Sequence, residues 1–284
     1  MRPTAVEFKP GAGMPELPEV ETTRRGLAPL VERRSIARID VRQRQLRWAV
    51  ADEIEQLRGS VVRDLQRRAK WLIWRFDHGS LLWHLGMSGS FRAWTDPPAP
   101  GRHDHIDVAI RGGHTIRYTD PRRFGAALWQ PGPDPMAHPR LAGLGPEPLD
   151  DDFDGDRLWR TSRGRRGSVK QFIMDAAVVV GVGNIYAAEA LFTAGIHPRR
   201  AAGRVSRARY AILAEAIRAT LGRAIEVGGT SLRDFTVGDG TPGYFGQELK
   251  VYGKARQPCP ECGRPLKGAV IGQRATVWCP GCQR

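Results

Sequence analysis

The four cysteines of the chain form two Cys-x-x-Cys pairs, CPEC (Cys259, Cys262) and CPGC (Cys279, Cys282), with 16 residues between the pairs. That spacing suits four thiolates closing a tetrahedron around one structural Zn2+, with a β-hairpin between the two knuckles. Two disulfides are the alternative. The absence of any other cysteine, and of an apolar secretory leader in MRPTAVEFKPGAG, argues for a reducing, cytoplasmic setting and for zinc. A four-thiolate site has no open position for water or substrate, so chemistry performed by this chain is expected elsewhere. Arg274 lies between the knuckles in GAVIGQRATVW, where the metal would hold it on a turn or strand. An arginine so placed could meet a phosphate or a minor groove, and could equally be solvated.

Positive charge is abundant: the 284 residues carry Lys+Arg 44 against Asp+Glu 30, a formal net charge of +14. Such a surplus favours a polyanionic partner, nucleic acid above all, because each cation set against a phosphate releases condensed counterions. From Arg157 to Lys170 the chain has six basic residues and no acid. That run could track a phosphate backbone or form a solvated linker. A Gly-rich stretch, TVGDGTPGYFGQE, carries Tyr244 and reads as a functional loop.

These residues need elements to hold them. Pro18 suits the first turn of a helix in which Val20, Leu27, Leu30 and Val31 fall near one face. From Ser35 to about Gln130 the pattern becomes short apolar runs at hairpin spacing: SIARIDV, SVVRDLQ, KWLIWRF, SLLWHLG, HIDVAIR and HTIRYTD. Gly-punctuated runs of this kind predict an antiparallel sandwich of two sheets. The Pro/Gly-dense QPGPDPMAHPRLAGLGPEPLD reads as an interdomain linker. Helical periodicity follows in SVKQFIMDAAVVV, in NIYAAEALFTAG and in the run from Ser206, a candidate N-cap, to the stop at Gly228-Gly229. The longest nearly apolar run, Ala176 to Gly183, is too short to cross a bilayer, so no membrane association is expected.

Eight strings in one order carry a resemblance: MPELPEVETTRRGL, QRRAKWL, HLGMSGS, YTDPRRFGA, LGPEPL, VVGVGNIYAAEALF, DGTPGYF and the zinc hairpin with QRAT. Together, from Met14 to the C-terminus, they closely resemble the bacterial formamidopyrimidine-DNA glycosylase family, whose members excise oxidised purines such as 8-oxoguanine and cleave the abasic strand. The resemblance implies an α+β multidomain fold: an N-terminal helix plus antiparallel β-sandwich, a helical helix-two-turn-helix domain and a C-terminal zinc-finger β-hairpin, with damaged double-stranded DNA bound by a monomer. On this sequence the parts are expected at 1–13 (an extension outside the active form), 14–130, 131–155 (linker), 156–235, 236–250 (lesion-recognition loop) and 251–284 (zinc finger).

The resemblance also implies roles. Pro15 matches the nucleophile, Glu16 the acid that protonates the sugar ring oxygen, Lys70 the lysine of β-elimination, and Arg274 the arginine on the lesion phosphates that serves δ-elimination. Met87, Arg122 and Phe124 match side chains that fill the void left by an extruded base. His103, Arg122, Arg165, Lys170 and Asn184 match DNA contacts, and Tyr244 is a candidate contact to the extruded base. Taken singly, Lys70 reads as a lysine in an apolar strand, and Met87 and Phe124 read as core residues. One departure bears on the chemistry: thirteen residues precede Met14, and an internal Pro15 is a tertiary amide with no nucleophilic lone pair. Three rivals are a sister class acting on oxidised pyrimidines, a DNA-binding protein without catalysis, and a zinc-ribbon transcription component. LPEVE, MSGS, DPRRFG and DGTPGYF favour the purine class over the first.

Overall fold

The computed structural model describes residues 15–229 and 248–284 in full, with the backbone of Ala5–Phe8, Thr236–Val237 and Thr241–Pro242. The chain divides into two compact units, one of residues 1–142 and 227–246, the other of residues 143–226 and 247–284.

The first unit is an antiparallel sandwich flanked by a helix. Strand β1 (Ala5–Phe8) precedes helix α1 (Leu17–Val31), and β2 to β9 follow as Ile36–Val41, Leu65–Arg68, Trp71–Phe76, Gly79–His84, Ser90–Trp94, Asp104–Ile110, Thr115–Thr119 and Ala126–Pro131. One sheet has the order β1-β6-β8-β7-β2 and the other β3-β4-β5-β9. The six expected runs contribute strands; β6 and β9 are additions, and so is β1, which pairs antiparallel with β6 from within the N-terminal extension. Alternating apolar side chains from both sheets meet in one core that includes Leu72, Trp74, Trp83, Phe91, Ile106, Ile116 and Tyr118, closed by Val20, Leu27 and Val31 of α1. Trp83 packs edge-on to Phe91 at 5.1 Å and tilted on Tyr118 at 5.3 Å, so an aromatic cluster lies under the loops that follow β5 and β8. A bidentate pair, Arg117 with Asp107 at 2.8 Å, ties β8 to β7, and Arg42 at the end of β2 joins the same carboxylate.

Helix α1 starts where the sequence predicts. Pro18 sits in the first turn, where no intrahelical N–H is lost. The Glu16 N–H donates to Glu19 Oε2 at 2.9 Å, closing the entry to the helix.

The second unit contains α2 to α5, here Gly155–Ser162, Val169–Ile173, Asn184–Thr193 and Arg207–Glu226, and the hairpin formed by β10 (Lys267–Ile271) and β11 (Arg274–Trp278). Ser206 accepts from the Arg209 N–H at 3.4 Å at the start of α5, and the helix ends before Gly228, which has φ 82°. The helical reading of SVKQFIMDAAVVV holds only for its first part. Helix α3 ends at Ile173, and Val178, Val179 and Val180 are buried as irregular chain. A small core of Ala188 and Phe192 from α4 with Val251, Cys259, Leu266, Val277 and Cys279 fastens the hairpin to the helices.

Candidate active site and nucleic-acid interface

In the first unit Pro15 and Glu16 are buried at the head of α1, Glu16 at 2% exposure. A carboxylate this deep is held by the helix entry. Lys70 is placed differently from the expectation of a strand residue: it occupies, with Ala69, the two-residue turn joining β3 to β4 across the pair Arg68↔Trp71. Ala69 takes a left-handed conformation (φ 56°), which a side chain with a Cβ adopts at a cost of about 1 kcal/mol or more. That strain puts the half-buried Lys70 at the tip of a rigid hairpin rather than along its face.

His84, opposite Trp71 at the end of β5, is a neighbour of Lys70 that the sequence reading missed. Its ring meets Trp71 edge-on at 4.9 Å, and its Nδ1 accepts the Gly86 N–H at 2.9 Å. Burial first, then the charges of Lys70 and Arg47, pull its pKa down from 6.5 to about 4. Neutral His84 therefore costs the fold nothing above pH 6.5. Between pH 6.5 and 4 the unfolded chain binds a proton that the folded chain refuses, so stability falls with falling pH, by about 3 kcal/mol in all from this residue. His84→Asn, which keeps an acceptor for Gly86, is expected to flatten that part of the pH profile in urea unfolding; an unchanged profile would assign the loss to other groups.

Met87 and the Arg122–Phe124 segment sit on two adjacent loops tied by one buried carboxylate. Asp120, fully buried, accepts from Ser88 Oγ at 2.5 Å, from the Tyr118 hydroxyl at 3.2 Å, from the Gly125 N–H at 2.8 Å and from the Arg122 N–H at 3.3 Å. The aromatic core thus reaches both loops through Tyr118. Gly86 has φ 63°, and a Cβ there would stand 2.3 Å from the Phe124 carbonyl carbon, so only glycine lets the two loops touch. Phe124 is 44% exposed with the Arg122 guanidinium 4.8 Å over its ring, and Met87 is half-buried. None of the three is a core side chain. His103 lies in the turn before β7, and its carbonyl accepts the Asp120 N–H at 3.0 Å, beside the same loops.

In the second unit the four cysteine Sγ atoms lie within 4.8 Å of one another, with Cys259 and Cys282 3.9 Å apart and Cys262 and Cys279 3.4 Å apart. Four Zn–S bonds of about 2.3 Å need sulfurs about 3.8 Å apart, so the donor set fits one tetrahedral zinc. The N–H groups of Gly281 and Cys282 turn toward Cys279 Sγ, each at 3.4 Å, as the second knuckle requires. Arg274 opens β11 just after the turn and is exposed. Arg165 is also exposed, in ion-pair range of Asp175 at 3.7 Å.

Lys170 departs from the expectation of a phosphate contact. Its side chain is buried at 1% exposure, and Nζ donates to Asn184 Oδ1 at 2.6 Å, Thr276 Oγ1 at 2.6 Å and the Ala275 carbonyl at 3.3 Å. These three acceptors hold the ammonium inside the junction. Asn184, at the start of α4, completes the junction by donating from Nδ2 to the Ala275 carbonyl at 3.1 Å. Tyr244 lies outside the described residues.

Comparison with known proteins places these features in one family. The N-terminal domain of formamidopyrimidine-DNA glycosylase matches residues 14–127, its H2TH domain residues 144–236, and a zinc finger found in FPG and IleRS residues 256–284. A formamidopyrimidine-DNA glycosylase of Alkalilimnicola ehrlichii is 58% identical over 95% of this chain and 100% of its own length. One from Stenotrophomonas maltophilia is 57% identical over the same shares. Among solved structures, the MutM (Fpg) protein of Thermus thermophilus superposes with a TM-score of 0.84 at 36% identity, covering 95% of this chain and 98% of that one. Lactococcus lactis Fpg in complex with DNA containing an abasic site gives 0.86 at 31% identity, covering 95% and 99%. With its sandwich, helical domain and four-thiolate hairpin all matched in order, the chain belongs to the formamidopyrimidine-DNA glycosylase family.

Proposed function

We propose that this chain is a base-excision repair enzyme that removes 8-oxoguanine and formamidopyrimidines from duplex DNA and then cleaves the abasic strand by β,δ-elimination. The observation that carries the reading is Pro15 followed by a buried Glu16 at the head of α1, at the point where the family match begins. Relatives captured on DNA with an abasic site and on DNA with carbocyclic 8-oxo-G support the substrate class.

The chemistry follows from the nucleophile. An α-amine has a pKa of about 7.7–8.0, so a useful fraction is neutral near pH 7 without a separate base. The secondary amine of a terminal Pro15 attacks the sugar C1′ and the base departs. Glu16 protonates the ring oxygen as the sugar opens, and the product is an iminium. That cation accepts the electron pair released when a proton leaves C2′, a step given to Lys70, and the 3′ phosphate departs. Arg274 serves the phosphate lost in the second elimination. The partner is damaged double-stranded DNA bound by a monomer, with His103, Arg122, Arg165 and Asn184 among its contacts and residues 236–250, including Tyr244, as the lesion loop. No helix among the described residues is long and apolar enough to cross a membrane. Damaged DNA as the substrate sets the place of action at the nucleoid, in the cytoplasm.

Met87, Arg122 and Phe124 fill the space vacated by the base, so they act only once it has left the stack. Met87→Ala and Phe124→Ala are each expected to slow excision from paired DNA about tenfold while changing binding to undamaged duplex by less than about threefold. The opposite ranking, measured by single-turnover base release and duplex titration, would return both to a packing role. The reading as a whole is tested by incubating the protein with 8-oxoguanine duplex and scoring free base and cut strand. Recovery of uncut duplex with no free base would end it.

A further inference from the structure

The tip of the zinc hairpin is fixed by a short line of hydrogen bonds that begins on a buried lysine. The Thr276 hydroxyl, on a residue 2% exposed, accepts from Lys170 Nζ at 2.6 Å and donates to the carbonyl of Arg274 at 3.0 Å. One hydroxyl therefore joins the lysine of α3 directly to the backbone of the exposed arginine. The neighbouring Ala275 carbonyl is held twice, by Lys170 Nζ and by Asn184 Nδ2. Beyond Arg274 the turn closes with Gly272 (φ 55°) against Gln171 of the same helix, where a Cβ would stand 2.7 Å from that side chain. The metal anchors the opposite end of the hairpin, at Cys279. Arg274 to Thr276 are thus held by Lys170 and Asn184 as well as by their pairing with β10 and by the metal end of the hairpin.

We infer that Thr276 and Lys170 are positioning residues for Arg274, setting where its guanidinium stands when phosphate leaves. The inference rests on the lyase reading above. In the second elimination a proton leaves C4′ of the opened sugar and its C–H electron pair moves into conjugation with the iminium. The C5′–O bond then breaks with its pair going to the phosphate oxygen. Negative charge grows on that phosphate, and a cation held in place beforehand stabilises it more than one that must be recruited. A displacement of about 1 Å is enough to cost such a step tenfold or more. Base release and iminium formation occur at C1′ and do not draw on this charge. A purely structural junction would instead depress every step together.

The test is Thr276→Val, which keeps the β-branched shape and removes the hydroxyl, with Thr276→Ser restoring it. Zinc content and thermal melting are measured alongside base release, the borohydride-trapped adduct, and the ratio of doubly to singly eliminated strand on 8-oxoguanine duplex. The valine variant is expected to bind zinc and to release base within about threefold of the parent, while the doubly eliminated fraction falls about tenfold; the serine variant returns it. Should valine cost the fold its zinc, Lys170→Met, which leaves the Thr276 hydroxyl on Arg274 but removes its anchor, is expected to lower the same ratio. A zinc-loaded variant with the parental ratio, or one in which base release and both products fall in proportion, overturns the inference. A parent that neither releases base nor traps overturns the lyase reading and this inference together.

Discussion

Protein forced to retain residues 1–14 ahead of Pro15 is expected to bind lesion DNA but to give no borohydride-trapped adduct, with excision at least ~10³-fold below that of protein beginning at Pro15. The reason is electronic. An internal proline nitrogen shares its lone pair with the preceding carbonyl, has no basicity near neutral pH and cannot form an iminium without losing its acyl group. The backbone of Ala5–Phe8 pairs along β6, so the extension has a place in the sandwich. The secondary amine it blocks is not replaced, since its own amines, at Met1 and Lys9, are primary. Binding rests on groups elsewhere in both units and survives. The comparison is made with the two forms verified by intact mass, so that processing during expression cannot confuse them.

The second large effect is expected from the metal. Cys262 is exposed, so Cys262→Ala removes a ligand with little lost packing, whereas Cys279 is fully buried in the core shared with Phe192 and Val251. Closing four thiolates on zinc contributes about 10 kcal/mol or more of folding free energy in small finger peptides, far beyond what a hairpin of this size gains from its few buried side chains. Without it, β10 and β11 lose their anchored end and Arg274 loses a fixed position. Lesion-DNA affinity is expected to fall about a hundredfold or more, while the first unit, with its own core, unfolds at an unchanged denaturant midpoint. Normal binding and cutting by zinc-free protein would remove the hairpin from the interface.

The features legible in the sequence were local ones. Two Cys-x-x-Cys pairs state a metal site within a few residues of one another, and alternating apolar runs state strands because the pleat has a period of two. Strands β6 and β9 escaped because SFRAW carries a charge at its centre and AALWQP opens on two small residues and closes on proline, so neither run has the bulky alternation of its neighbours. Helix α3 was overextended because Val178–Val180 are apolar for burial, and a short apolar run has no period of its own. Lys70 read as a strand residue because Ala-Lys lacks the Asn-Gly or Asp-Gly signature of a two-residue hairpin turn; Ala69 is held at positive φ by the strands around it. Burial of Lys170 was least visible, since its acceptors are 14 and 106 residues away in the chain. The role of Asp120 has no local signature in YTDPRRFGA, because its four donors are gathered by the fold from two loops and a core tyrosine.

The central claim is that the reaction runs through an iminium on the nitrogen of Pro15, and one measurement addresses it directly. Protein beginning at Pro15 is mixed with duplex containing 8-oxoguanine, reduced with borohydride, digested with nuclease and protease, and mapped by mass spectrometry. The account predicts the reduced sugar remnant on the peptide that begins with Pro15, attached to its amine, with Lys70 unmodified. A remnant on Lys70 or any other lysine, or full trapping in a chain whose residues 1–14 are shown to be intact, would contradict it.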